Sequence, residues 1–257
     1  MQVGIIIALP TEWGYFRKAF HLHHEHHLGG RRHYTGRFGR LPISVIIGGV
    51  GKQNAQRAAR LLCDAHELSA LLSIGYAGAL SPALKRGDIV LSAFSYNDEL
   101  LKPQPVDLAV VEQLNGMADE SHEHHVYISP LYTADKIIAR HEEKLQIFDR
   151  TNAQIVDMES SAVYMEAKAR GIPFVGIHAI TDTAEEDIPA LEIITPFLIS
   201  NSLWRYPKIF LDLARQPRFI FDLVVLNRDA KVAGQNLAHF LISNRANLGG
   251  LLASLPQ

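Results

Sequence analysis

Three acidic residues of this chain follow apolar runs: Glu12 after VGIIIA, Glu159 after QIVDM and Asp182 after FVGIHAI. In open α/β sheets, ligands bind beyond the carboxyl ends of the strands. Three carboxylates placed there can converge on one site and do acid/base work on a neutral polyol. Taken singly, each also fits a helix cap or a dipole partner. Two glycine turns accompany them. GGVGK, Gly48 to Lys52, can cradle an anion or water on the N–H groups of Gly49 and Gly51, with Lys52 beside them. It is not a full dinucleotide fingerprint, because Asn54 stands where the third glycine would be. GYAGAL, Gly75 to Leu80, lets a backbone approach a ligand closely at Tyr76, Ala77 and Gly78. Both stretches also read as plain turns.

The elements that must position these residues alternate along the chain. Val3 to Ala8 is a short continuous apolar run, the pattern of a strand buried on both faces. Pro10 opens a helix with Trp13, Phe16 and Phe20 on one face. Arg32 to Phe38 and Pro42 to Ile47 form a hairpin around Gly39-Arg40. After GGVGK, the residues Ala55, Ala58, Ala59 and Leu62 mark a helix stripe. Ala70 to Ile74 is a buried strand that ends in the GYAGAL turn, and Asp88 to Ala93 is another strand. Leu101 to Glu123 mixes helix and loop. Gln154 to Met158 runs into a helix that ends at Gly171, and Pro173 to Ile180 is the next strand. Leu203 to Ser243 is helical, broken near Pro217. This alternation predicts one α/β domain over residues 1–257 with a mixed sheet.

Composition narrows the function. The 257 residues are 47% hydrophobic and 20% charged, enough for a sizeable core. Lys+Arg is 25 against 27 Asp+Glu, a formal charge of -2, which argues against a nucleic-acid partner. A single cysteine, Cys63, excludes an internal disulfide and a Cys-rich metal module. The N-terminal MQVGIIIALP reads as a strand rather than a secretory leader, and no apolar run reaches the ~18 residues of a membrane span. A cytoplasmic setting is expected. Histidine is in surplus, with 13 copies, six of them between His21 and His33 and three between His122 and His125. Paired histidines can share a metal, but HHEHH lacks the zinc-motif spacing. No metal is expected, and these histidines read as solvated.

The carboxylates and glycine stretches, in this order, resemble the nucleoside phosphorylase/nucleosidase superfamily, near the methylthioadenosine/S-adenosylhomocysteine nucleosidases. The resemblance rests on GIIIALPTE, HYTGRFGRLPISVIIGGVGK, SIGYAGALSPALKRGDIV, VDMESSAV and PFVGIHAITDTAEED, and runs from Met1 to about Asp187. VDMES followed by AITD is its most specific part. AARLLCDAHELSALLSIGYAGALSPALKRGDIVLS and SLWRYPKIFLDLARQP are similar to a hopanoid-associated phosphorylase branch. That branch is thought to remove adenine from adenosylhopane.

The resemblance implies a three-layer α/β sandwich whose central mixed sheet is twisted, partly barrel-like and flanked by helices. It implies cleavage of the N-ribosidic bond of a 5′-modified adenine nucleoside, through an oxocarbenium-like ribose. Asp182 would protonate the leaving base, positioned by Thr181 and kept protonated by a dry pocket. Glu159 would accept the ribose hydroxyls, with Met158 against the sugar and Asp157 beside it, and Glu12 would orient or deprotonate water. Tyr76, His178 and Ile137 stand where the nucleosidases usually carry a small residue, an arginine and a base-stacking aromatic. These departures leave the 5′ group open, and hydrolysis against phosphorolysis as well. No cofactor is implied, with phosphate a co-substrate if the enzyme is a phosphorylase. The partner is a small nucleoside, and a homo-oligomer is expected.

The C-terminal segment, about 203–257, varies within the family. Here Trp204, Tyr206, Phe210, Phe219 and Phe221 alternate with Arg205, Lys208, Arg215 and Arg218, a pattern that suits core or oligomer packing, or a membrane surface. A nucleoside- or metal-binding protein without catalysis is the alternative of another class.

Overall fold

The computed structural model of the chain describes residues 2–98, 125–191 and 218–254. The first strand, β1 (Gln2–Ile7), is buried because it has parallel neighbours on both sides, β4 (Leu41–Ile47) and β5 (Leu68–Ala79). Its β-branched side chains feed both faces of the sheet. Ile5 and Ile7 face one cluster with Trp13, Phe16 and Phe240, while Ile6 faces another with Ala58, Leu62 and Val163. Helices therefore cover both faces, as expected.

Helix α1 (Pro10–Phe16) starts on a proline, whose missing N–H costs nothing at that position. The hairpin β2 (His21–Leu28) and β3 (Arg31–Phe38) then extends the sheet beyond β4. Helix α2 (Lys52–Ala65) buries the expected stripe of Ala55, Ala58, Ala59 and Leu62. After β5 come β6 (Ile89–Ser92) and β7 (Ser95–Tyr96), then β8 (Val126–Ile128) and β9 (Leu131–Thr133). Helix α3 (His141–Thr151) ends on Asn152 at φ 55. Strand β10 (Ile155–Asp157) runs into α4 (Ser160–Arg170), which stops at Gly171, φ 67, as its sequence predicts. Strand β11 (Phe174–Asp182) and helices α5 (Arg218–Ser243) and α6 (Arg245–Ser254) complete the described chain.

Among the described residues the sheet has eleven strands, eight of them in the order β2-β3-β4-β1-β5-β10-β9-β7. It branches at β5. The first half of β5 pairs with β1, its length from Leu71 pairs with β11, and its end turns to an antiparallel β10. Strand β11 continues the branch to β6 and β8.

One sequence expectation changes. GYAGAL is not a turn: Gly75 to Ala79 continue β5 as strand, because β11 and β10 supply ladder partners there. The histidine-rich stretch, to which the sequence assigns no element, forms the edge strand β2. Leu101 to Glu123 and the helix start between Leu203 and Pro217 lie outside the described residues, as do the side chains of Phe219 and Phe221.

Candidate functional site

The branch point of β5 brings the three strand-end carboxylates together. Glu12 sits in the first turn of α1, where its Oε2 accepts the N–H of Leu9 at 2.8 Å. That is a cap, but the other oxygen leaves the helix and accepts the N–H of Tyr76, 3.2 Å away on β5. One residue earlier on β5 is Gly75, where a Cβ would stand 3.0 Å from Glu12 Oε1. Burial pushes the Glu12 carboxyl up to about 7, helped by the charge of Asp157 and opposed by the N–H groups of Leu9 and Tyr76.

Glu159 follows β10 and precedes α4. Its Oε1 accepts the N–H of Gly51 at 2.6 Å and its Oε2 that of Met158 at 3.2 Å. Burial pushes this carboxyl up too, and the neighbouring charges of Asp157 and Glu12 add to the effect. Asp157 stands between them electrostatically. It accepts the Thr133 hydroxyl at 2.7 Å and the N–H of Ser160 at 2.9 Å.

Asp182 ends β11. Its Oδ1 accepts the Thr181 hydroxyl at 2.9 Å, and its Oδ2 accepts Nζ of Lys144, on α3, at 2.7 Å. A Cβ on Gly78 would stand 2.9 Å from that Oδ2. The two glycines of GYAG therefore make room for two carboxylates. The backbone freedom expected to admit a ligand admits these side chains instead.

These groups line one cavity of about 370 Å³, within the range of small-molecule sites. Glu12, Tyr76, Ala77, Gly78, Ile137, Asp157, Met158, Glu159, Thr181 and Asp182 all reach it. Aliphatic side chains complete the walls, among them Leu9, Val50, Ile138 and Leu191, together with Leu226 and Ala230 of α5.

Four residues named from the sequence lie off the cavity. Of the GGVGK loop only Val50 lines it; Gly49, Gly51 and Lys52 do not. Gly51, at φ 94, gives its N–H to Glu159, and Lys52 pairs with Asp135 at 2.6 Å. The loop thus holds a carboxylate where an anion or water site was expected. His178 is buried behind Asp157, with Nε2 3.6 Å from Asp157 Oδ2, and burial lowers its proton affinity. The histidines of β2 are exposed, apart from the partners they meet on β3, and no group of three metal-ligating side chains occurs among the described residues.

Lys144 and Thr133 were missed. Thr133 sits on a strand of three residues, too short for a periodic signal. Lys144 did leave a trace: it shares a buried stripe with Ile147 and Thr151, and a lysine on an apolar stripe needs a partner.

A branched mixed sheet between helix layers thus gathers carboxylates at its strand ends. Comparison with known proteins gives the family. Residues 2–195 match the model of the Phosphorylase superfamily, and the chain belongs to that family. It is similar to 5′-methylthioadenosine/S-adenosylhomocysteine nucleosidases. That of Buchnera aphidicola subsp. Acyrthosiphon pisum (strain Tuc7) is 26% identical over 227 residues, covering 82% of this chain and 98% of that protein. That of Maridesulfovibrio salexigens is 27% identical over 203 residues, covering 73% and 88%. The fold is shared with futalosine hydrolase of Helicobacter pylori, at a TM-score of 0.71, 17% identity and 99% and 98% coverage. It is also shared with the Streptococcus pneumoniae nucleosidase bound to a transition-state inhibitor, at 0.69, 20%, and 94% and 99%.

Proposed function

We propose that this protein cleaves the N-ribosidic bond of a 5′-modified adenine nucleoside of the methylthioadenosine or S-adenosylhomocysteine type, with water as nucleophile. The observation that carries this is the acidic lining of the cavity. Among the described residues lining it are four carboxylates, Glu12, Asp157, Glu159 and Asp182, and one cation, Lys136, which pairs with Glu143 at 2.8 Å. Such a lining can stabilise a ribose cation and, with its one cation already paired, offers an attacking phosphate no free counter-charge among the described lining residues, which favours water.

The roles follow from position. Gly75 and Gly78 lie three residues apart on β5, about 10 Å along an extended strand, and mark the Glu12 and Asp182 ends of the site. Asp182 takes the base end and protonates adenine N7 as the bond to C1′ breaks. Glu159 accepts the ribose 2′- and 3′-hydroxyls and balances the cation, with Met158 against the sugar. Glu12, with its carboxyl near 7, is poised to take a proton from the attacking water at neutral pH. These steps call for no metal or organic cofactor.

A second reading keeps the bond and changes the 5′ group and the nucleophile: phosphorolysis of adenosylhopane or a similar lipid nucleoside. The aliphatic wall that Leu226 and Ala230 of α5 contribute favours a long apolar 5′ group. Adenine release from a panel of nucleosides decides between them. The panel is methylthioadenosine, S-adenosylhomocysteine and an adenosine with a long aliphatic 5′ chain, each with and without phosphate. Release of adenine without phosphate supports the first reading; strict phosphate dependence supports the second. Release from none of them refutes both.

A further inference from the structure

Asp182 bonds a lysine outside the cavity lining whose side chain is fully buried, at 0% exposure. A buried ammonium is costly unless every N–H has an acceptor. Lys144 has three such bonds to make, and the structure supplies three acceptors: Asp182 Oδ2 at 2.7 Å, the Thr183 carbonyl at 2.6 Å and the Glu186 carbonyl at 3.2 Å. All three lie at the end of β11 or in the segment that follows it. On its other oxygen Asp182 takes the Thr181 hydroxyl, and that hydroxyl also reaches the Ala77 carbonyl at 3.3 Å. The close approach of Gly78 closes the remaining side. The carboxyl is thus fixed by three separate elements: β5, β11 and α3.

Other charges near this carboxyl are already matched. Arg86 reaches the Thr181 carbonyl at 3.3 Å, and it pairs with Glu186 and, at 3.1 Å, with Asp229 of α5. Among the described residues, Lys144 is the cation bonded to the Asp182 carboxyl.

We propose that Lys144 is a positioning residue for the leaving-base acid: its ammonium fixes the Asp182 carboxyl and stabilises the carboxylate left when the proton passes to the base. This rests on the reading of the site as an N-ribosidic cleaving centre. In the step, the O–H bond of Asp182 breaks and an N7–H bond forms. The electron pair of the C1′–N9 bond goes to adenine. Water gives its oxygen to C1′ and a proton to Glu12. No proton leaves Lys144. Negative charge appears on Asp182 as the base departs, and a charge-assisted hydrogen bond gains strength with it. Relative to the complex in which Asp182 carries the proton it will give, the interaction is stronger in the transition state, the condition for raising kcat.

The experiment compares two leaving groups. Adenine departs with a proton from Asp182, whereas p-nitrophenolate departs without one. In Lys144→Met, kcat for adenine release from methylthioadenosine falls by about 100-fold, the scale of losing one preorganised donor, with KM little changed. Release of p-nitrophenolate from the matching 5-methylthioriboside stays within about 3-fold. The ratio of the two rates does not depend on how much of the variant is folded. If Lys144→Met yields no folded protein, Lys144→Arg is read on the same ratio and shows a smaller drop of the same sign. If wild type accepts adenine but not p-nitrophenolate, the Asp182→Asn background decides, since there Lys144→Met costs nothing further. Equal losses with both leaving groups, or additive losses in the double variant, overturn the proposal and leave a structural lysine. Failure of the wild type to release adenine from any nucleoside overturns the cleavage reading instead.

Discussion

Two regions of this protein gather titratable side chains, and they differ in where the sheet places them. The carboxylates Glu12, Asp157, Glu159 and Asp182 meet at the branch of β5, all but Glu159 at 6% exposure or less. Each is bonded to a backbone N–H or a neighbouring side chain there. The histidines of β2 lie on an edge strand of the same sheet with their side chains mostly in water. Where that strand's ladder reaches the interior, His33 bonds the Ser44 hydroxyl at 2.6 Å and stacks on His66 at 5.2 Å, and burial pushes it down to about 4. It therefore stays neutral at physiological pH. Abundance and reactive residue type favour the histidines. Burial at a strand end, beside a cavity, favours the carboxylates. Placement, rather than residue type, separates the two clusters.

Substitutions in the two regions should sharpen this contrast. The largest effect is expected at Asp182. Asp182→Asn removes the proton donor without changing shape, and kcat for adenine release falls by about 1,000-fold, within the range of general acid catalysis. Stopped assays of adenine release measure it.

Glu12→Gln comes next, with an expected loss of about 100-fold in kcat/KM. Its pH dependence has a definite sign. As a base Glu12 must be ionised, so wild-type kcat/KM falls as pH drops through about 7, and the variant loses that limb. Stability runs the other way. The carboxyl is raised from 4.5 unfolded to about 7 folded. Its contribution is complete below about 4.5 and is lost as pH rises to about 7, a swing on the order of 3 kcal/mol. Thermal unfolding from pH 5 to 7 should therefore be flatter in Glu12→Gln than in wild type.

Gly78→Ala tests the close approach. Its Cβ would stand 2.9 Å from Asp182 Oδ2, so the carboxylate must shift, and kcat falls by roughly 10-fold or more. Unaltered turnover would show that the carboxyl has freedom the structure denies it.

On the edge strand the smallest effect is expected. Replacing His24 and His26 by alanine changes stability by no more than about 0.5 kcal/mol, as for other exposed positions, and leaves adenine release intact. Loss of activity in that variant would undo the contrast between the regions.

Much of this was legible in the sequence. The apolar run of β1, the alanine stripe of α2 and the Gly171 stop each carry a local physical signature. Strand ends were therefore placed, and with them Glu12, Glu159 and Asp182. What escaped depends on distant partners. GYAGAL became strand because β10 and β11 bond to it. GGVGK gave its N–H to a carboxylate 108 residues away. Lys144 lies on a helix between the motifs, and its partner is 38 residues further on. Neither pairing has a spacing that periodicity can reveal.

The central claim is that the cavity's carboxylates direct water onto C1′ of a 5′-modified adenine nucleoside. Its most direct test is the mass of the sugar formed from methylthioadenosine by wild type in phosphate-free, heavy-oxygen water. Hydrolysis predicts adenine together with methylthioribose carrying one heavy oxygen, at C1. No release of adenine until phosphate is added, with a sugar phosphate as product, would contradict it.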